Sequence, residues 1–311
     1  MCLSTQNDSL DESRLDDELR TALREGFFVV HYQAKVTRDD QLAGFEALLR
    51  LNHPKFGMIP PLDFIPAAER TGLIMPIGAW VLDEVCRQIA AWRCAGLGEI
   101  AVAVNVSSVQ LSQPDFAESV TACLLRHEVA PWHLELELTE SILISGSESV
   151  LRQMRQLRTL GVRLSIDDFG TGYSSLSYLY RLEVDTVKLD KSFIQPMEND
   201  KMARWLVHSM IGIAHGLGLG VVAEGVETEG QRAALIEAGC VQMQGYLFAR
   251  PLAAADLEPL LRESLAEHEV QSMDNGVRRF GRRTASDIEK LGVHLQASAT
   301  ESATNDALVL Q

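Results

Sequence analysis

Acidic side chains recur along this chain near the ends of strand-like segments, together with one asparagine and one lysine. These residues are Glu46, Asn105, Glu137, Asp167, Asp168, Lys188 and Glu224. Two unit charges about 4 Å apart at an effective dielectric constant near 20 repel each other by about 4 kcal/mol, so such a cluster calls for cations. Oxygen ligands without histidine or cysteine favour Mg²⁺ or Mn²⁺ over Zn²⁺.

The alternation of side chains within strands predicts that these residues meet. In one predicted strand Glu135 and Glu137 lie on one face, and in the next strand Arg163 and Asp167 share a face. Strands covered by helices are apolar outside, so the polar faces should point into a barrel. Glu137 and Asp167 would then converge at its mouth, and Glu135 and Arg163 would pair one layer deeper.

The number of carboxylates is sufficient for two ions, with the adjacent Asp167 and Asp168 suited to bridging them. Two ions about 3.5–4 Å apart are the usual device for in-line hydrolysis of a phosphodiester. Lys188 would orient or deprotonate the attacking water, helped by cations that lower its pKa. Alternatively, Lys188 would be only a charge partner of Asp190, and each carboxylate taken alone would be an ordinary surface group.

Strand-like and helical patterns alternate over about 250 residues, the length of one α/β barrel. The predicted strands are 27–33, 42–49, 100–106, 134–138, 162–167, 184–189, 220–223 and 241–248. Helices are predicted at 62–70, 79–95, 114–127, 147–160, 201–217 and 228–238. This order predicts an α/β fold, a TIM-type (β/α)8 barrel with an irregular first strand, whose active site lies at the C-terminal strand ends. A doubly wound sheet is disfavoured because the one tempting glycine cluster, 216–220, precedes a strand instead of following one.

Composition divides the chain into three parts. Residues 1–14 are a polar, flexible lead-in, residues 15–267 form the barrel, and residues 268–311, rich in Ser, Thr, Ala and Asn, are predicted to be a disordered tail. The net charge of −15 argues against general nucleic-acid binding, so no DNA partner is expected. Neither a signal peptide nor a membrane span is predicted. The five cysteines lack CxxC spacing and indicate buried thiols in a reducing cytoplasm instead of disulfides or zinc.

Several longer motifs are specific enough to indicate a family. They include Glu46-Ala47-Leu48, Asp167-Asp168-Phe169-Gly170, and the segments 53–54, 104–107, 137–140, 188–190, 223–227 and 244–246. Through them the chain resembles the EAL-domain family of bacterial cyclic di-GMP phosphodiesterases from roughly Leu15 to Leu265. The resemblance implies hydrolysis of cyclic di-GMP to linear pGpG with two Mg²⁺ or Mn²⁺ ions, and a homodimer. Regulatory input would come through a regulatory protein partner, dimerisation or the tail.

The resemblance also implies roles for individual residues. The metal ligands would be Glu46, Asn105, Glu137, Asp167 and Asp168. The catalytic residues would be Lys188, Glu224 and Asp168, with Lys188 engaging the attacking water. The dinucleotide would contact Gln33, Arg50, Glu227 and Gln244. Glu140 would hold the loop that contains Gly170 and Gly172.

Other functions fit the residues less well. A non-catalytic cyclic di-GMP receptor or a protein-interaction domain would typically lack a metal ligand or the loop motif, and this chain keeps both. An aldolase would use Lys188 as a Schiff base, which the crowd of carboxylates opposes. The kinase-like Asp168-Phe169-Gly170 has no accompanying glycine-rich loop or His-Arg-Asp loop. Where the family usually has Pro and Trp, this chain has Ala34 and Leu51, and these departures predict an altered substrate cleft.

Overall fold

The sheet of this protein closes on itself through its first strand. The computed structural model describes residues 12–140, 147–171 and 183–263. Eight strands close the barrel: β1 (Phe28–Thr37), β2 (Leu42–His53), β4 (Val102–Val106), β5 (Leu134–Thr139), β6 (Arg163–Phe169), β7 (Thr186–Leu189), β8 (Gly220–Ala223) and β9 (Gln242–Met243). Two short strands pair with the barrel from outside it: β3 (Gly57–Ile59) pairs with β2, and β10 (Leu252–Ala253) pairs with β1. The TIM-type barrel predicted from the alternating pattern is confirmed.

Strand β1 runs antiparallel to both of its barrel neighbours, whereas the other neighbouring barrel strands are parallel. The connection from β1 to β2 is a tight turn in which Asp40 adopts a left-handed φ of 60°, a conformation that aspartate tolerates better than most residues. So short a connection permits only an antiparallel hairpin. The irregular first strand is therefore a reversed one, and its pairing places Gln33 opposite Glu46.

Nine α-helices begin and end within the described segments, and residues 254–263, where the last described segment ends, are also helical. The nine are α1 (Glu12–Glu25), α2 (Pro61–Thr71), α3 (Ile74–Cys94), α4 (Ser108–Leu111), α5 (Phe116–Arg126), α6 (Glu148–Leu160), α7 (Lys191–Ile194), α8 (Lys201–Gly216) and α9 (Glu229–Glu237). Local sequence sets several of their ends. Asp200 accepts hydrogen bonds from the first backbone N–H groups of α8, and Thr228 and Gln231 form a capping box at α9.

The two faces of the strands follow the predicted alternation. Leu134, Leu136 and Leu138 of β5 are fully buried and belong to the apolar core. Glu135 is also buried, but its ion-pair partner is Lys35 at 3.1 Å and not the expected Arg163. The expected pair was wrong because the reversed β1 brings the ammonium of Lys35 close to Glu135, which the sequence pattern of β5 and β6 did not show.

Element boundaries differ from the sequence expectations at several places. The last strand was expected over 241–248 but covers only Gln242–Met243, since Gln244 bonds to the backbone of Ala223 and Val226 and turns the chain away. Helix α3 begins five residues early, and β3 was not predicted. Helix α1 already begins at Glu12, inside the expected lead-in. The expected tail, 268–311, lies outside the described residues.

Substitution of Gly245 tests this turn, because a Cβ there would lie 2.0 Å from the carbonyl oxygen of Val226. We expect Gly245→Ala to lower the free energy of unfolding by about 1–3 kcal/mol, the usual cost of overpacking. Gly212→Ala is the matched control: a Cβ there meets nothing within 4 Å, and the helix should gain roughly 0.5–1 kcal/mol. Equilibrium denaturant unfolding measures both. Equal stability of the two variants would contradict the steric account.

Candidate active site

Four carboxylates from different parts of the barrel surround the ammonium group of Lys188, whose side chain is 1% exposed on β7. Its Nζ lies 2.6 Å from Glu137, 2.6 Å from Glu224, 3.0 Å from Asp167 and 3.6 Å from Glu46. Glu46, Glu137 and Asp167 lie on β2, β5 and β6, and Glu224 follows β8 directly. The structure thus brings these five predicted site residues together.

Asp190 does not explain the position of Lys188. Its side chain accepts a hydrogen bond from the backbone N–H of Ser192 and caps helix α7. Burial alone would lower the pKa of Lys188, but the carboxylates of Glu137 and Glu46 raise it well above its usual range. The sequence reasoning expected cations to lower this pKa. The surrounding carboxylates act in the opposite direction and favour the protonated ammonium form of Lys188.

One ammonium is not enough to keep four carboxylates charged. Burial, together with the charge of Glu46, raises the pKa of Glu137 well above its usual range. Burial, with the charges of Asp167 and Glu46, raises the pKa of Glu224 to about 7 against the attraction of Lys188. Burial would raise the pKa of Glu46, but the charge of Lys188 and the hydrogen bonds from Gln244 and Asn105 outweigh burial and lower it. The site therefore has a deficit of positive charge.

Amide side chains orient the carboxylate of Glu46. Asn105 donates from Nδ2 to Glu46 Oε1 at 2.9 Å, and Gln244 donates from Nε2 to Glu46 Oε2 at 2.6 Å and to Gln33 Oε1 at 3.0 Å. Because Nδ2 of Asn105 is engaged, its amide oxygen is the atom it can offer to a cation. Gln33 and Gln244, expected to contact substrate, are only 7% and 4% exposed. Here Gln244 bonds directly to the carboxylate of Glu46, and Gln33 accepts a hydrogen bond from Gln244.

Asp168 extends the cluster toward solvent. Its φ of 54° is left-handed. This conformation interrupts the alternation of side chains along β6, so the consecutive residues Asp167 and Asp168 both face the same site. Asp167, Asp168 and Glu224 offer carboxylate oxygens that all lie within 4.8 Å of one another. Burial and the neighbouring Asp167 raise the pKa of Asp168. This more exposed group of three adjoins the buried group around Lys188.

A buried oxygen of Glu137 indicates that these side chains suit divalent cations. Its Oε1 atom is buried and has no hydrogen-bond partner among the described residues, and Lys35 Nζ lies 3.7 Å away. A buried carboxylate oxygen without a partner is costly. Hard oxygen donors with unmet negative charge suit Mg²⁺ or Mn²⁺ better than softer metals.

The loop after β6 is fixed by Glu140, which lies directly after β5. The carboxylate of this buried residue accepts a hydrogen bond from the backbone N–H of Gly170 at 3.1 Å. Gly170 has a φ of 96°, and a Cβ there would lie 2.5 Å from Met210. The loop therefore starts in a closely packed position. Gly172, expected to belong to the same loop, lies outside the described residues.

We expect Glu140→Ala to weaken activity by about 10–100-fold, the usual effect of losing a residue that supports metal ligands. The loss should take the form of a higher Mn²⁺ requirement, because Gly170 lies only two residues from Asp168. Turnover measured across a Mn²⁺ series would show it. Glu118→Ala, on the exposed face of α5, serves as the control. A loss that saturating Mn²⁺ leaves unchanged would argue against a role in shaping the metal site.

Two expected substrate contacts lie outside the network around Lys188. Arg50 donates to the carbonyl of Leu49, and the backbone N–H of exposed Glu227 donates to Gln231. Among the described residues, neither side chain hydrogen bonds to the carboxylate cluster. Ala34 and Leu51, the two departures from the family pattern, are buried in the apolar core. They do not line an open cleft.

Lys35 is a functional candidate that the sequence reasoning missed. Its buried ammonium bonds to Glu135 at 3.1 Å and lies 3.7 Å from Glu137, so it supplies a second positive charge behind the site. The alternation of side chains along β1 could have predicted its position, since Gln33 and Lys35 share one face of the strand. Lys35 was not predicted to face the site because the predicted strand ended at Gln33.

A family model described as EAL domain matches residues 16–251. The chain belongs to the EAL domain family. It is 44% identical over 248 residues to the bifunctional diguanylate cyclase/cyclic di-GMP phosphodiesterase MucR of Pseudomonas aeruginosa, which covers 79% of this chain and 36% of the relative. It is 42% identical to the cyclic di-GMP phosphodiesterase PdeR of Escherichia coli, over 78% of this chain and 37% of the relative.

Solved EAL structures share the barrel. The PaMucR phosphodiesterase in a cyclic di-GMP complex is 44% identical and superposes with a TM-score of 0.75, covering 78% of this chain and 99% of that one. The FimX EAL domain of Pseudomonas aeruginosa bound to c-di-GMP is 25% identical with a TM-score of 0.71, covering 76% and 96%. The chain spans only about a third of the length of the MucR and PdeR relatives. In the described part of this EAL chain, every helix is too short or too polar to cross a bilayer.

Proposed function

We propose that this EAL domain hydrolyses cyclic di-GMP to linear pGpG and requires divalent cations, Mg²⁺ or Mn²⁺. The observation that carries the proposal is the set of four carboxylates around Lys188 at the C-terminal ends of the barrel strands, the usual position of active sites in this fold. Two relatives at 42–44% identity are named as cyclic di-GMP phosphodiesterases.

The residues present would hold two ions. Glu46, Asn105, Glu137 and Asp167 would bind one, and Asp167 and Asp168 would bind the second, with Glu224 close by. Bound ions would polarise the phosphate and acidify the attacking water. The unpartnered Oε1 of Glu137 and the excess of carboxylates over ammonium groups support this assignment.

The protein groups contribute positioning and proton transfer. Hydrolysis forms a bond from the water oxygen to phosphorus and breaks one phosphorus–O3′ bond, leaving a 5′-phosphate and a 3′-hydroxyl. Lys188, held as an ammonium by its neighbours, orients the water and the phosphate oxygens. Glu224, whose carboxylate lies 2.6 Å from Lys188 Nζ, would accept the proton of the water. Gln244 and Asn105 keep Glu46 aligned.

Chromatography of the reaction products tests the proposal. The EDTA-treated protein is incubated with cyclic di-GMP with and without Mn²⁺, and the linear product is quantified. We expect pGpG only when Mn²⁺ is present. Binding of cyclic di-GMP without turnover in either condition would favour a non-catalytic receptor instead.

We also propose that the domain forms a homodimer through helix α8. Met202, Trp205, Leu206 and Ile213 form an exposed apolar face there, with Trp205 65% exposed. On the same helix Met210 packs where the loop at Gly170 begins, so the face adjoins the active-site loop. Sedimentation of Trp205→Glu should give a monomer where the unsubstituted chain gives a dimer. A monomer in both cases would leave this face for a regulatory protein partner.

A further inference from the structure

Away from the barrel mouth, helices α3 and α5 bring together two thiols, an imidazole and a carboxylate. Asp83 and Cys86 lie three residues apart on α3, and Cys123 of α5 lies four residues before His127, which follows the end of that helix. Residues three and four apart on a helix share one face. Each helix therefore presents a pair of ligand-type side chains toward the other.

Three donor atoms of this group, which we name the α3–α5 cluster, are close enough to share one ion, and the thiol of Cys86 lies beside them. The donor atoms of Asp83, Cys123 and His127 all lie within 4.8 Å of one another, and His127 Nε2 lies 2.9 Å from Asp83 Oδ1. The neighbouring thiols of Cys86 and Cys123 shift each other's pKa, upward for Cys86 and downward for Cys123. Tetrahedral zinc needs four such donors, with Zn–S distances of about 2.3 Å and Zn–N distances of about 2.0–2.1 Å.

Burial and charge also suit a metal ion. Cys86 and Cys123 are buried, whereas Asp83 and His127 are partly open to solvent and leave a route of entry. Two thiolates and one carboxylate carry three negative charges. One divalent ion and the guanidinium of Arg126, 2.5 Å from Asp83, would balance them. Thiolate and imidazole donors select Zn²⁺ over the Mg²⁺ or Mn²⁺ expected at the barrel mouth.

We propose that Asp83, Cys86, Cys123 and His127 form a structural Zn²⁺ site that ties helix α3 to helix α5. The site was not predicted from the sequence, because the chain has no closely spaced cysteine pairs that would indicate zinc. Here the two halves of the site are some 40 positions apart in the chain, and only the packing of the two helices joins them. The proposal is independent of the phosphodiesterase activity.

Cobalt is a suitable probe because Co²⁺ bound to thiolates gives a charge-transfer absorption that carboxylate sites do not give. The reduced, EDTA-treated protein is first supplied with excess Mg²⁺ to occupy the barrel mouth and is then titrated with Co²⁺. We expect one equivalent to produce the thiolate band, and Zn²⁺ to displace it. Zn²⁺ should also raise the melting temperature, since a ligand that binds only the folded state stabilises it.

Variants locate the site. Cys123→Ser should weaken Co²⁺ binding by about a hundredfold or more, as expected for losing one of four ligands. Cys94→Ser, an exposed cysteine on the same helix α3, should bind as the unsubstituted protein does. His127→Ala, at the open side, gives a second test if Cys123→Ser folds poorly. No thiolate band in the reduced protein, or equal loss in Cys94→Ser, would overturn the proposal, as would a Cys86–Cys123 disulfide in the freshly purified protein.

Discussion

Replacing Lys188 by methionine is expected to have the largest effect, on turnover and on stability together. In EDTA the variant should lose about 3–5 kcal/mol of unfolding free energy, because removing one partner leaves buried charges uncompensated. Four carboxylates lie within 3.6 Å of its Nζ. Turnover should fall by roughly a thousandfold, about 4 kcal/mol of lost transition-state stabilisation.

Mn²⁺ should restore stability but not turnover in Lys188→Met. Thermal unfolding with and without Mn²⁺ measures this, and the rise in melting temperature should exceed that of the unsubstituted protein, since the carboxylates then have no ammonium among them. Lys35→Met is the matched comparison, because Lys35 is also buried and its ion pairs within the described segments are with Glu135 and Glu137. It should lose stability while turnover falls by no more than about 10–100-fold. Equal melting temperatures in EDTA for Lys188→Met and the unsubstituted protein would contradict the electrostatic account.

The parts of the site that the sequence predicted are those on regular parallel strands. Glu137 and Asp167 could be placed because a two-residue period fixes which side chains face inward. Their strands are neighbours with matched register, so strand-end positions translate directly into proximity. Lys188 was predicted from its position near the end of β7. The barrel itself could be predicted because strands and helices alternate with recognisable turns between them.

The parts that could not be predicted depend on contacts between distant segments. The reversed direction of β1 places Gln33 opposite Glu46 and Lys35 beside Glu135, and neither pairing is encoded in a local period. The left-handed backbone at Asp168 breaks the alternation by which its side chain would have been placed. Gln244 looked like part of a strand, but its turn onto Val226 is a tertiary contact. Local patterns do not specify such contacts.

Replacing Glu46 by glutamine separates catalysis from binding. The carboxylate accepts from Asn105 on one oxygen and from Gln244 on the other, so a glutamine keeps the first hydrogen bond and would meet a donor at the second. Gln244 can turn its amide and accept this hydrogen bond through Oε1, at the cost of its hydrogen bond to Gln33 Oε1, a net loss of about 1 kcal/mol. We therefore expect Glu46→Gln to remain folded, with unfolding free energy in EDTA close to that of the unsubstituted protein.

Catalysis should nevertheless be lost in Glu46→Gln, because a neutral amide is a much weaker ligand for Mg²⁺ or Mn²⁺ than a carboxylate. We expect turnover to fall by about a thousandfold and the binding of cyclic di-GMP, measured by calorimetry, to persist. Glu135→Gln is the control, since it also removes a buried carboxylate of a barrel strand, but one that pairs with Lys35 and not with Lys188. It should cost stability and leave the Mn²⁺ dependence of turnover unchanged. If Glu46→Gln kept turnover within tenfold of the unsubstituted protein while Glu135→Gln did not, the cation would have to be placed deeper in the barrel, around Lys35.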